Sequence, residues 1–130
     1  MLKVKTYIKE SSIPNAGIGC FAGEDIKKGD LIWELNPFMD RIYTDENLKV
    51  LSELEREFVK IYAFKCNNLY YLCIDNARFF NHSETDYNTF DPINEYCTYA
   101  NRDIQKDEEI ISDYSTFGLN ENDKEFNMYL

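Results

Sequence analysis

Apolar and polar positions alternate in short bursts along the first third of the chain. Residues 4–8 (VKTYI), 19–22 (GCFA) and 31–35 (LIWEL) are rich in β-branched and aromatic side chains, and turn-prone Pro14-Asn15-Ala16-Gly17 and Lys28-Gly29-Asp30 separate them. Each reads as a strand. Between Thr44 and Lys65 the period changes. Leu48, Leu51, Leu54, Phe58, Ile61 and Tyr62 recur at three- and four-residue spacing, the apolar stripe of a helix, with Thr44 or Asp45 as its cap. Strand-like runs return at 70–74 (YYLCI) and 95–100 (EYCTYA), with polar, loop-rich sequence between them; the segment after Tyr114 is polar at first and weakly helical. The pattern predicts an α+β fold that is mostly β, with a helical insert at about 44–65 and a short terminal segment at 115–130.

Composition narrows this picture. A chain of 130 residues, 44% apolar with ten Tyr and nine Phe, is expected to form one domain over 1–130 with a core of its own. No apolar run approaches the ~20 residues of a membrane span, and the first residues lack the apolar stretch of a secretory signal, so an intracellular protein is expected. Cys20, Cys66, Cys73 and Cys97 form no CxxC pair, and the single histidine, His82, has no partner at metal-ligand spacing. No metal site is expected, and free buried thiols are favoured over disulfides.

A formal net charge of −10 argues against nucleic acid as a direct partner and points to a basic polypeptide. Residues 103–130 carry eight acidic and two basic side chains. Charge alone favours a solvated acidic face.

Three segments could carry chemistry. Gly17-Ile18-Gly19-Cys20-Phe21-Ala22 lets the backbone turn sharply and approach a ligand, although a lone GxG also serves as a plain tight turn. Asn76-Ala77-Arg78-Phe79-Phe80-Asn81-His82-Ser83 gathers amide, guanidinium, imidazole and hydroxyl groups, and reads equally as a site or as a polar structural knot. Residues 100–114 (ANRDIQKDEEIISDY) carry Glu108, Glu109 and Asp113, which in isolation read as solvated surface.

Together and in order, "GIGCFA", "RFFNHS" and "ANRDIQKDEEIISDY", with "IKKGDLIWE" after the first, resemble the SET domain of protein-lysine methyltransferases over roughly residues 13–117. The resemblance implies small, mostly antiparallel sheets, with the "NHS" and "DY" segments crossing into a pseudoknot. It also implies methyl transfer from S-adenosyl-L-methionine to lysine side chains of a basic protein, such as a histone or histone-like tail. Tyr114 would be the catalytic residue. Gly17, Ile18, Gly19, Arg78, Phe79, Asn81, His82 and Phe117 would bind the cofactor, His82 chiefly as scaffold.

The chain departs from the family's pattern in four places. The family's "NHSCxPN" becomes Asn81-His82-Ser83-Glu84-Thr85-Asp86-Tyr87-Asn88, one residue longer, with Asn88 aligned to the last asparagine. Asp107 replaces a glycine, which asks whether that turn keeps positive φ. Ser112 stands where many members carry Phe or Tyr, leaving room for more than one methyl group. Flanking zinc segments are absent, so residues 116–130 or a second copy in a homodimer would complete the lysine channel. The competing readings are a non-catalytic SET-like module that binds a basic polypeptide, and an acidic adaptor that binds no cofactor.

Overall fold

The computed structural model describes residues 1–66, 68–92 and 95–114, except for the side chain of Cys66. Phe117 and the rest of the segment after Tyr114 lie outside the described residues. In chain order come β1 (Thr6–Glu10), β2 (Ile18–Ala22), β3 (Leu31–Glu34), β4 (Arg41–Tyr43), α1 (Asp45–Lys49) and α2 (Glu53–Tyr62). There follow β5 (Phe64–Cys66), β6 (Leu69–Leu72), a 3-10 turn (Asn76–Phe79), β7 (Asn81–His82), β8 (Thr89–Phe90), β9 (Cys97–Ala100) and β10 (Ile111–Ser112). The described strands make four small sheets, ordered β1-β2, β3-β9-β8, β4-β6-β5 and β7-β10. Pairing is antiparallel except between β7 and β10. This is the expected α+β, mostly β architecture.

The helical insert differs from the single helix that its periodicity suggests. It is two helices, because the chain offers two capping boxes: Thr44 with Asn47, and Ser52 with Glu55. Each satisfies the first unpaired amides of its own helix, so a second helix starts where one would otherwise continue. Residues 64–65, placed in the insert by periodicity, belong to β5, which pairs with β6. The inward face also shifts. Val59 and Leu48 are buried with Ala63 and Leu72, whereas Leu54, Phe58 and Ile61 remain exposed, Leu54 at 77%.

The main core gathers Cys20, Ala22, Ile26, Ile32, Ala100, Ile104 and Ile110, side chains supplied by the first and third motifs and by the strand between them. Burying each isoleucine stabilises by about 1.5–3 kcal/mol. Cys20, Cys73 and Cys97 are buried free thiols, as expected.

The crossing of the "NHS" and "DY" segments is built by β7 and β10. Asn81 pairs with Ile111 and His82 with Ser112, in parallel. The Ser83 amide donates to the Ser112 carbonyl and the Asn88 amide to the Ile111 carbonyl, both at 3.0 Å, so the 83–88 loop wraps the last strand. So short a parallel pair needs support, which Asn88 supplies. Its Nδ2 donates to the Glu109 carbonyl at 2.8 Å and its Oδ1 accepts from the Ile111 amide at 2.9 Å. Asn88 is 1% exposed. The turn at Asp107 has φ 75°, the left-handed conformation that aspartate tolerates in place of glycine. Tyr7 anchors it by donating from its hydroxyl to Asp107 Oδ1 at 2.7 Å.

Candidate active site

The two glycines of the first motif serve different ends. Gly17 has φ 77°, and a Cβ added there would meet nothing within 4 Å, so its need is conformational and open space lies beside it. Gly19 is required by close approach. A Cβ at Gly19 would lie 2.7 Å from Glu109 Oε2, 2.9 Å from its carboxyl carbon and 3.3 Å from Asn81 Nδ2.

Glu109 therefore occupies the space that Gly19 leaves. Its carboxylate accepts from the Ser11 hydroxyl at 2.9 Å, from the Ser12 amide and hydroxyl at 2.7 Å each, and from Asn81 Nδ2 at 3.2 Å. Burial opposes ionisation, but the Ser12, Asn81 and Ser11 hydrogen bonds prevail and hold the carboxyl below the usual glutamate value. Glu109 is buried, at 6% exposed, which corrects its reading as solvated surface. The signal available was its position before the apolar pair Ile110-Ile111, within a stretch that continues into the core.

Asn81 connects all three motifs. Its Nδ2 donates to the Ile18 carbonyl at 3.0 Å while also reaching Glu109. His82, the next residue, holds Tyr114. The Tyr114 amide donates to His82 Nδ1 at 2.9 Å, and the two rings stack with centroids 4.9 Å apart and planes 17° apart. At its other end Tyr114 donates its hydroxyl to the Phe80 carbonyl. Burial pushes that phenol well above the usual tyrosine range, with smaller contributions from charge at Cys73 and Asp91. The hydroxyl thus stays protonated and neutral at physiological pH.

Arg78 and Phe79 stand on the 3-10 turn, with their side chains engaged by α2. The Arg78 guanidinium lies 5.6 Å from the Phe58 ring centre and 5.7 Å from that of Tyr62, and its Nε donates to the Cys73 carbonyl at 3.0 Å. Phe79 meets Tyr62 edge to face, at 6.1 Å between centroids. Gly17, Ile18, Gly19, Asn81, His82 and Tyr114 are thus brought together, while Arg78 and Phe79 tie the same loop to the helical insert.

The model of the SET domain family matches residues 17–115. Among solved structures, the chain resembles a Plasmodium falciparum protein assigned as a histone methyltransferase. That match has a TM-score of 0.60 and 26% identity, and covers 87% of this chain and 95% of that one. It also resembles a chain of the Chaetomium thermophilum polycomb repressive complex 2 bound to the inhibitor GSK126, with a TM-score of 0.66, 22% identity and coverage of 88% of this chain. A further match is to an autoinhibited ctPRC2 bound to S-adenosylmethionine, with a TM-score of 0.64, 21% identity and coverage of 89% of this chain. The present chain spans only 16% of the matched chain in each of these two complexes. A comparison with the curated proteins finds no match. With three quarters of its length matched by the family model and its motifs joined in one site, the chain belongs to the SET-domain family.

Proposed function

We propose that the chain is an S-adenosylmethionine-dependent protein-lysine N-methyltransferase with Tyr114 at its catalytic centre. The observation that carries the reading is the convergence of three distant motifs on one tyrosine. Asn81 bonds to Ile18, and His82 both bonds to and stacks on Tyr114. The longer loop after His82, which kept a non-catalytic module in view, still delivers Asn88 to the crossing, and this supports the catalytic reading.

The donor set suits a ligand with a polar and an aromatic end. Space lies open beside Gly17, Ile18 is 44% exposed, and the half-buried Asn81 and His82 follow the aromatic Phe79 in the same segment. S-adenosylmethionine would be held by Gly17, Ile18 and Gly19 through backbone groups, by Arg78, Phe79, Asn81 and His82, and by Phe117 from the terminal segment. When bound it supplies an activated methyl group on a sulfonium.

Transfer to an amine needs alignment more than covalent help. The Tyr114 phenol is fixed at both ends, by His82 and by the Phe80 carbonyl, and can orient the accepting nitrogen. That nitrogen must be neutral, yet at an ordinary pKa of about 10.4 well under ~0.1% of lysine is neutral at pH 7. Burial beside Tyr114 disfavours the ammonium and supports its loss of a proton. The acidic surface, with a net charge of −10, suits a basic polypeptide such as a histone-like tail. A second copy completing the lysine channel is part of the same proposal.

Titration calorimetry with S-adenosylmethionine tests the cofactor side. Saturable binding is expected, and the absence of binding heat across several temperatures would contradict the reading and favour an acidic adaptor.

A further inference from the structure

Asp91 is a half-buried acid that the scheme above does not use. The antiparallel register of β8 and β9 sets Thr89 opposite Ala100 and Phe90 opposite Tyr99, so that Asp91 falls opposite Thr98. The Thr98 hydroxyl donates to Asp91 Oδ1. The other oxygen, Oδ2, is buried with no hydrogen-bond partner among the described residues. An acceptor left in this state forfeits its hydration without replacement, which calls for a partner that arrives from outside.

Its position indicates which partner. Two residues earlier on the same side of the strand, Thr89 Oγ1 lies 3.2 Å from Ser112 Oγ, and Ser112 is two residues before Tyr114. Charge on Asp91 is felt at the Tyr114 phenol. A donor that entered beside Tyr114 would be placed to reach Oδ2. A lysine ammonium carries three such donors and one compensating charge.

We propose that Asp91 receives the ammonium of the target lysine and removes one of its protons before methyl transfer. This rests on the methyltransferase reading above. One N–H bond of the ammonium breaks with its electron pair staying on nitrogen, an O–H bond forms at Oδ2, and the proton passes to water when the product leaves. Inside the site the exchange turns an ion pair into two neutral groups, the direction that burial favours. Burial pushes the Asp91 carboxyl up to about 7, with the Thr98 hydrogen bond opposing it. An aspartate so placed is a stronger base than a surface one at about 3.9, and it is poised near the working pH. The Tyr114 phenol is itself pushed up by burial and stays uncharged.

The test reads the carboxyl directly. Carbon-13 NMR of aspartate-labelled protein should place the Asp91 midpoint near neutrality, and saturating n-butylammonium chloride, a mimic of the lysine head, should lower it by half a unit or more. A midpoint that butylammonium leaves unmoved overturns the proposal. In a second arm, Asp91→Asn keeps an acceptor for Thr98 and removes the base. Its kcat/KM for a lysine peptide should fall at least tenfold at pH 7 and regain wild-type values towards pH 10, while superimposable pH profiles would overturn the proposal. If the wild-type protein methylates no lysine peptide yet its Asp91 midpoint responds to butylammonium, the methyltransferase reading fails and the cation site stands. Transfer with an unmoved midpoint has the opposite meaning.

Discussion

His82 Nδ1 accepts the backbone amide of Tyr114 at 2.9 Å while the two rings lie stacked, so that one imidazole fixes both the main chain and the side chain of the tyrosine. The bond joins segments that lie 32 residues apart in sequence. It requires Nδ1 as acceptor and therefore places the ring's proton on Nε2.

Replacing His82 by Ala should reduce stability by about 1–3 kcal/mol, because a partly buried amide loses its acceptor, with about 0.5–1.5 kcal/mol more from the lost ring contact. Urea unfolding measures the first effect. Methyl transfer should fall further than the folded fraction does, since the surviving tyrosine is no longer held.

Gly19 and Glu109 should behave as one unit. Gly19→Ala places a methyl group 2.7 Å from Oε2 of a carboxylate that Ser11, Ser12 and Asn81 hold in place, and should destabilise by about 1–3 kcal/mol. The pH dependence has a defined sign. Because the folded carboxyl of Glu109 lies below its ordinary value, its contribution is fully present above about pH 4.3 and is lost as pH falls through the folded value. Urea midpoints of wild type between pH 6 and pH 3 should decline more steeply than those of Glu109→Gln, which lacks the titrating group.

Asn88 should be among the most sensitive positions outside the catalytic centre. Asn88→Ala leaves the Glu109 carbonyl and the Ile111 amide without their partner inside the crossing, a loss of about 2–5 kcal/mol. Hydrogen exchange should report faster exchange at the Ile111 amide than at amides of β1 and β2 in that variant.

Much of this arrangement could be read from the chain, and the parts that could not have identifiable causes. β2 and β3 followed from short apolar bursts between turn residues, and Thr44 capped its helix as its side chain allows. The single helix failed because Ser52 and Glu55 form a second capping box, a local signal that outranks periodicity. The strands β7, β8 and β10 are too short to leave a period, and they exist because Asn88 and the parallel crossing hold them. Glu109 was hidden by charge: an acidic run reads as surface until Gly19, Ser11 and Ser12 are seen around it. Asp91 left no sequence signal, since its importance lies in the register that sets it opposite Thr98.

The central claim is that Tyr114 works as the catalytic tyrosine of a lysine methyltransferase. The most direct measurement is mass spectrometry of basic lysine-containing peptides after incubation with S-adenosylmethionine and either the wild-type protein or Tyr114→Phe, with cofactor binding measured on both. The account predicts mass additions of one or more methyl groups with wild type, a loss of at least 100-fold with Tyr114→Phe, and cofactor binding retained within a few-fold. Cofactor binding without any methylated peptide, or transfer unaffected by Tyr114→Phe, would contradict it.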